Sequence, residues 1–382
     1  MLKRMVIKNF KCFRNETVFD FRKTNYKLLE QNTWGKILKG ALFVGDNASG
    51  KTTAIQPIKL LLDLLFIDKD VILSVYTCLF SDEKITSLEY EFEIDGHEIG
   101  YSFSFESNSF VQEKLEVDKE IIIERLGESA KLKLENEEAF HKVDRSVLFL
   151  KRVYFNTKFA GNELLVGWFD FLKKSVYINA YTRVISTFIG ESLLPEKYIE
   201  KHGIDNLNNF LAGNGFKYLI RYRRETERDG LLYNELADKD GTIFFEREGI
   251  KVSVPGFLES LGNQVLLNIL PAVLFSVQNG GMLIIDEFSS GLHNKLEELL
   301  VKYIMRNGEK IQLFFVSHST NLLSNSILRP DQIYSVEMFG DEGSRLYRFS
   351  DEQPRAAQNL EKMYLSGMFG GIPEYGIEEV SE

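Results

Sequence analysis

The chain has 382 residues, 44% hydrophobic and 27% charged, and a net charge of −10, so it has room for one large domain or two modest ones. As a whole it is not drawn to polyanions. Two cysteines, Cys12 and Cys78, with no C-x-x-C pair, exclude a cysteine-only zinc site and fit a reducing cytosol. The five histidines show no ligand spacing. Met1–Arg4 runs into a strand pattern rather than a signal sequence, and no apolar run reaches membrane-spanning length. The expected location is cytoplasmic, with no membrane partner.

Leu2 to Lys8 and Thr17 to Phe21 read as strands around Asn9-Phe10-Lys11-Cys12-Phe13, a tight polar-aromatic turn. Tyr26 to Gly40 reads as loop or short strand. Ala41-Leu42-Phe43-Val44 is a buried strand, and it delivers Gly45-Asp46-Asn47-Ala48-Ser49-Gly50-Lys51-Thr52, a match to G-x-x-x-x-G-K-[ST]. A helix follows from Thr53 to Leu65, with apolar residues at Ile55, Ile58, Leu61, Leu62 and Leu65; Pro57 is expected to kink or loosen it. Strand, glycine loop and helix form a phosphate cradle. Glycines let consecutive N–H groups curl round an anion, and the helix N-terminus adds partial positive charge. Lys51 is expected to reach the β- and γ-phosphates and Thr52 to bind Mg²⁺. Gly45, Asn47, Ser49, Gly50 and Thr53 are expected to complete the nucleotide contacts.

Leu88 to Phe105 is a hairpin of alternating residues about an Asp95-Gly96 turn, and Val111 to Leu134 continues the antiparallel meander. Residues 139 to about 220 read as mainly helical, including Leu164 to Ile178, without a sustained heptad repeat. Arg221, Arg223, Arg224 and Arg228 interleave with Glu225, Glu227 and Asp229, which reads as a solvated face; a nucleic-acid contact would need such a local basic patch. Two further strands are expected at Thr242 to Glu246 and Ile250 to Val254. The expected divisions are 1–80 (lobe with the phosphate loop), 81–138 (antiparallel β), 139–240 (mainly helical insertion), 241–350 (second lobe) and 351–382 (C-terminal helix and tail).

After Ser260-Leu261-Gly262-Asn263-Gln264 comes a helix with Val265, Leu266, Ile269, Leu270, Val273 and Leu274 on its buried side. Met282-Leu283-Ile284-Ile285 is a buried strand ending in Asp286-Glu287, where Asp286 can hold the Mg²⁺ shell and Glu287 can act as general base. A helix from about Leu292 to Arg306 leads to the strand Gln312 to Val316 and to Ser317-His318, whose imidazole can reach a γ-phosphate. Each group lies at a strand end or a helix start, where α/β sheets place their sites.

This constellation resembles the ABC-type ATPase head of the SMC, RecF and overcoming-lysogenisation-defect proteins, an α/β P-loop fold with an antiparallel β subdomain and a helical insertion. The resemblance implies an ATPase using ATP and Mg²⁺. Ser260 and Gly262 would belong to a degenerate signature motif acting on a partner's ATP, Glu287–His293 would cross the dimer interface, and His318 would be the switch histidine. A homodimer or a higher even oligomer is implied. A Q-loop glutamine, expected near residues 70 to 90, is missing. Leu328-Arg329-Pro330-Asp331-Gln332-Ile333, Asn359-Leu360-Glu361-Lys362, Tyr364-Leu365, Gly367 and Gly370-Gly371-Ile372-Pro373 are similar to small AAA-family ATPases of prokaryotic abortive-infection systems, the RloA and AbiL type. That likeness implies phage defence with a separate Toprim-like or other effector, and a phage trigger. The competing reading is an SMC/RecF-like ATPase that clamps DNA in repair.

Overall fold

A computed structural model describes residues 1–134, 137–222 and 242–372. Its organising element is a seven-stranded sheet in the order Val184–Thr187, Val176–Asn179, Gly281–Asp286, Ile311–Val316, Gly40–Gly45, Ile333–Met338, Ser344–Arg348. The five inner strands are mutually parallel and the two edges antiparallel. Both faces of a parallel sheet must be covered, and the strands are apolar on both sides accordingly. Ala41, Phe43, Ile284, Phe314 and Val316 face one core, whereas Leu42, Val44, Ile285, Leu313 and Phe315 face the other.

The first face carries α1 (Lys51–Phe66), α2 (Phe149–Thr157) and α3 (Glu163–Lys173). Beyond them lies an eight-stranded antiparallel sheet in the order Glu137–Lys142, Ser129–Leu134, Glu120–Leu126, Ser109–Val117, His97–Glu106, Ile85–Ile94, Leu2–Lys8, Thr17–Asp20. Leu88, Tyr90, Phe92, Tyr101 and Phe103 of that sheet pack into the same core as Trp168 and Phe169 of α3. Gln312 fastens the two sheets from inside: its side chain accepts from the Leu2 N–H (2.6 Å) and donates to the carbonyls of Leu2 (2.8 Å) and Leu38 (3.1 Å). The second face is covered by α4 (Pro195–His202), α5 (Asp205–Gly213), α6 (Leu261–Asn279) and α7 (Asn294–Asn307); α8 (Leu360–Leu365) packs into the same core.

Several expectations need correction. Pro57 sits buried within α1, whose 16 residues extend on both sides of it. The stretch Leu164 to Ile178 is not one helix: α3 stops at Lys173, and Val176–Asn179 is an inner strand of the central sheet. The region read as a helical insertion thus supplies part of the core sheet. The antiparallel unit also recruits Leu2–Lys8 and Thr17–Asp20 from the N-terminus. The second strand expected at Ile250 to Val254 shrinks to Val254–Pro255. Finally, α6 is, among the described residues, one helix long and apolar enough to cross a bilayer by length and composition; its apolar side is spent on the second core. Arg221 pairs with Glu246 at 3.0 Å, whereas Arg223, Arg224, Glu225, Glu227, Arg228 and Asp229 lie outside the described residues, as does Pro373.

Candidate functional site: a phosphate loop facing an acidic strand end

The strand Gly40–Gly45 hands the chain to the loop, and α1 begins at Lys51 with Gly50 as its cap at φ +107°. Glycine is required at Gly50 twice over. The backbone is left-handed, and a Cβ there would lie 2.6 Å from Cys12 Sγ and 2.8 Å from Ser344 Oγ. Cys12 belongs to the turn read as merely polar-aromatic. It is a tight turn, with Asn9 and Lys11 at positive φ, and it braces the phosphate loop from behind. Ser344 joins in, donating from its N–H to the Cys12 carbonyl (2.7 Å) and from its hydroxyl to the Ser49 carbonyl (2.6 Å).

Lys51 is 6% exposed, and its Nζ donates to the Asp46 carbonyl across the loop at 2.6 Å. Burial lowers its pKa, against the pull of Glu287, Asp46 and Asp286. The next residue makes the decisive contact. Thr52 Oγ1 donates to Asp286 Oδ1 at 2.9 Å, although 234 residues separate them. Asp286 ends the strand Gly281–Asp286 and is buried, which raises its pKa. Glu287 follows in the left-handed region (φ +56°), and its Oε2 lies 3.7 Å from His318 Nε2. Burial and the Lys51 charge hold the His318 imidazole below the usual histidine value.

One site residue escaped the sequence reading. Asn179 ends the strand beside Asp286, in register with it, and its Nδ2 donates to Asp286 Oδ2 at 3.4 Å. The resemblance puts the glutamine near residues 70 to 90, whereas the polar amide beside the acid sits about a hundred positions later. The only signal was a single Asn after an apolar Val176-Tyr177-Ile178. Tyr177, next to it, is pushed up to about 12 by burial and by the neighbouring Asp286.

Ser260 and Gly262 stand apart from this cluster. Ser260 is exposed and caps α6, its Oγ accepting from the Asn263 N–H at 3.4 Å. A Cβ on Gly262 would lie 3.1 Å from the Gly291 carbonyl, so the loop after the acidic pair rests on the start of α6. Asn47 and Thr53 lie on the phosphate loop and the first turn of α1, as the motif dictates. His293 caps α7, its Nδ1 accepting from the Lys295 N–H (3.2 Å).

The residues present fit a magnesium-bound nucleoside triphosphate. The Ser49 hydroxyl is buried with no partner among the described residues, the loop turns through glycines at Gly45 and Gly50 with positive φ, and a lysine ammonium bridges its mouth. Among the described residues no three His, Cys, Asp or Glu side chains converge on a metal position. Mg²⁺ in such sites takes one or two protein oxygens and completes its shell with phosphate and water, a role open to Thr52 and Asp286.

The segments after His318 pack around this centre. Arg329 and Asp331 form a buried bidentate pair (2.9 and 3.0 Å), and Arg329 Nη1 donates to the Leu28 carbonyl, so this stretch is a structural clasp. Gly371 backs onto the phosphate loop, where a Cβ would meet the Gly45 Cα at 3.5 Å.

Three SMC heads share the fold. The SMC head domain from Thermotoga maritima is 15% identical with a TM-score of 0.50, over 91% of this chain and 98% of that one. The SmcHead bound to the C-winged helix domain of ScpA is 13% identical with a TM-score of 0.55, over 90% and 96%. The Smc head domain with an extended coiled coil, bound to the C-terminal domain of ScpA and derived from Pyrococcus furiosus, is 13% identical with a TM-score of 0.53, over 90% and 95%. Among curated proteins, none matches this chain. The α/β fold is therefore that of the SMC-type P-loop ATPase head. Residues 41–324 match the sequence model described as "AAA domain, putative AbiEii toxin, Type IV TA system", and the chain belongs to that AAA-domain family.

Proposed function

We propose that this protein is an ATP-dependent switch: it binds Mg-ATP, pairs with a second copy across the nucleotide and hydrolyses ATP to separate again. The observation that carries the reading is the Thr52–Asp286 hydrogen bond, which sets the phosphate loop against the acidic strand end. Lys51 exchanges its bond to the Asp46 carbonyl for the β- and γ-phosphates of ATP. Thr52 and Asp286 hold Mg²⁺, which supplies charge neutralisation at the phosphates when bound. Asn179 orients Asp286. Glu287 accepts a proton from the attacking water, and His318 steadies the γ-phosphate. The exposed Ser260 and the half-buried Gly262 at the start of a 19-residue helix supply partial positive charge to the nucleotide of the facing copy.

As to biological role, we infer a sensor ATPase of an anti-phage system of the RloA or AbiL type, acting in the cytoplasm on a separate effector. The family's description as a toxin–antitoxin component supports this. SMC heads of this fold are seen with a ScpA domain bound, which supports a head that carries a second protein. The SMC fold also keeps the DNA-clamping reading in play, but the net charge of −10 runs against it.

Size-exclusion chromatography of Glu287→Gln with and without Mg-ATP tests the switch. A nucleotide-dependent doubling of mass, absent in Lys51→Ala, is expected; an unchanged mass would overturn the dimer mechanism. Salt-sensitive retention on duplex DNA would favour the clamp instead.

A further inference from the structure

The loop carrying His318 is held from beneath by an acid that the site does not otherwise use. Glu297 lies in the first turn of α7 with no exposed surface. Its two carboxylate oxygens take one hydroxyl each: Ser317 Oγ donates to Oε2 at 3.3 Å and Ser319 Oγ to Oε1 at 2.8 Å. These serines flank His318 on either side. Above them, the His318 N–H donates to Ser289 Oγ at 3.3 Å, and Ser319 N–H donates to Ser317 Oγ at 3.0 Å.

A carboxylate without a cation is a costly thing to bury, and none of the ion pairs among the described residues includes Glu297. A leucine at this position would fill the space without that desolvation. Burial raises the Glu297 pKa, while the two serine hydroxyls and the nearby His293 pull it back. The first turn of α7 is one of the few buried places where a carboxylate gains from the helix dipole. What the carboxylate does there is fix two adjacent hydroxyls at once. That leaves the single residue between them little freedom to turn from Glu287.

We propose that Glu297 is a positioning residue for His318: through Ser317 and Ser319 it sets the direction in which the imidazole meets the γ-phosphate. The proposal rests on the ATPase reading above. It separates the carboxylate from mere helix stability, because a clamp acts only through His318.

The test is a double-mutant cycle on the full chain, with nucleotide binding, hydrolysis and histidine NMR read together. In Glu297→Leu, kcat for ATP should fall about 10-fold or more, since a catalytic group displaced by about 1 Å loses on that order or beyond. KM should stay within about 3-fold, because Glu297 touches no phosphate-loop residue. In Glu297→Leu/His318→Ala, kcat should match His318→Ala alone. If Glu297→Leu does not fold, Ser317→Ala/Ser319→Ala removes the same two bonds and carries the cycle. Independently of turnover, the ¹³C-histidine signal of His318, assigned from His318→Ala, should shift or broaden in either variant. Losses that multiply with His318→Ala, or an unmoved His318 signal, would overturn the clamp. Wild-type protein that binds but never hydrolyses ATP would sink the ATPase reading instead, and the NMR arm would still decide the clamp.

Discussion

Glu287 stands in the left-handed backbone region at φ +56°, which for an L-residue costs about 1–2 kcal/mol. Strain of this kind persists where a side chain must be aimed. Two substitutions divide backbone from carboxylate. Glu287→Gln removes the charge and leaves the strain, while Glu287→Gly removes both. Glycine recovers the steric cost but forfeits about 0.5–1 kcal/mol through its freer unfolded chain. Before packing is counted, the difference between the two variants should therefore be between about 0 and 1.5 kcal/mol in favour of glycine. The Glu287 side chain is about two-thirds buried, so glycine also gives up packing that glutamine keeps, and the margin is an upper figure. Relief of repulsion with Asp286 is common to both and cancels. At roughly 2 cal/mol/K of unfolding entropy per residue, the gap corresponds to at most about 2 °C in the calorimetric midpoint. Both variants should lose hydrolysis by about 10²-fold or more while still binding ATP. If Glu287→Gly melts more than about 2 °C below Glu287→Gln, the strain is not there, and the claim that the backbone is bent to aim the base is wrong.

Gly50→Ala should abolish nucleotide binding in a fluorescent-ATP titration, because its Cβ would press on Cys12 and Ser344 at a left-handed position; the companion Cys12→Ala should not rescue it, since φ remains +107°. Asp331→Ala leaves Arg329 buried without its fork and should cost about 3–5 kcal/mol, read by denaturant unfolding. Its pH dependence has a definite sign. Burial alone would raise the Asp331 carboxyl, but hydrogen bonds from Arg329 and the Thr24 backbone outweigh it and hold it below the ordinary 3.8. The unfolded chain thus binds the proton more readily, so the stabilisation is complete above about pH 4–5 and vanishes as pH falls through the lowered value. Asp331→Ala should close its gap to wild type in acid; a constant gap from pH 7 to pH 3 would refute this.

What could be read in advance followed from chemistry that is local in the chain. The glycine loop with its flanking strand and helix, the Asp-Gly hairpin and the apolar strand ending in two acids each declare themselves within ten or so residues. Their meeting in space follows from sheet order: Gly40–Gly45 and Gly281–Asp286 are separated by a single strand, so their carboxyl ends open on the same crevice. What stayed hidden depends on partners far off in sequence. Val176–Asn179 is four residues long and follows a strongly apolar helix, so periodicity ran the two together. Asn179 had no motif to announce it, because its significance comes from lying beside Asp286. Cys12 looked like turn filler because nothing nearby in the sequence shows that its sulfur will meet Gly50. Glu297 has no local signal either, since its two serine partners lie 20 and 22 residues further on.

The two ends of the proposed switch are physically joined within one chain. Asp286 is held by the amide of Asn179, and the Ala180 N–H donates to the Asp286 carbonyl at 3.0 Å. The same short turn continues to Arg183, whose guanidinium donates to Gln264 at 3.1 Å and whose carbonyl accepts from Asn268. Both of those residues belong to α6, the helix that Ser260 caps. On the other side, the loop from Glu287 to His293 sets Gly291 against Leu261 and Val265 of that helix. Asp286 and the exposed Ser260 are therefore braced together by two short loops rather than by the length of the core. In the proposed switch, a shift of Asp286 would pass to the start of α6 through Ala180, Arg183 and Gln264. That is the property a head needs if filling its own site is to govern its grip on a neighbour.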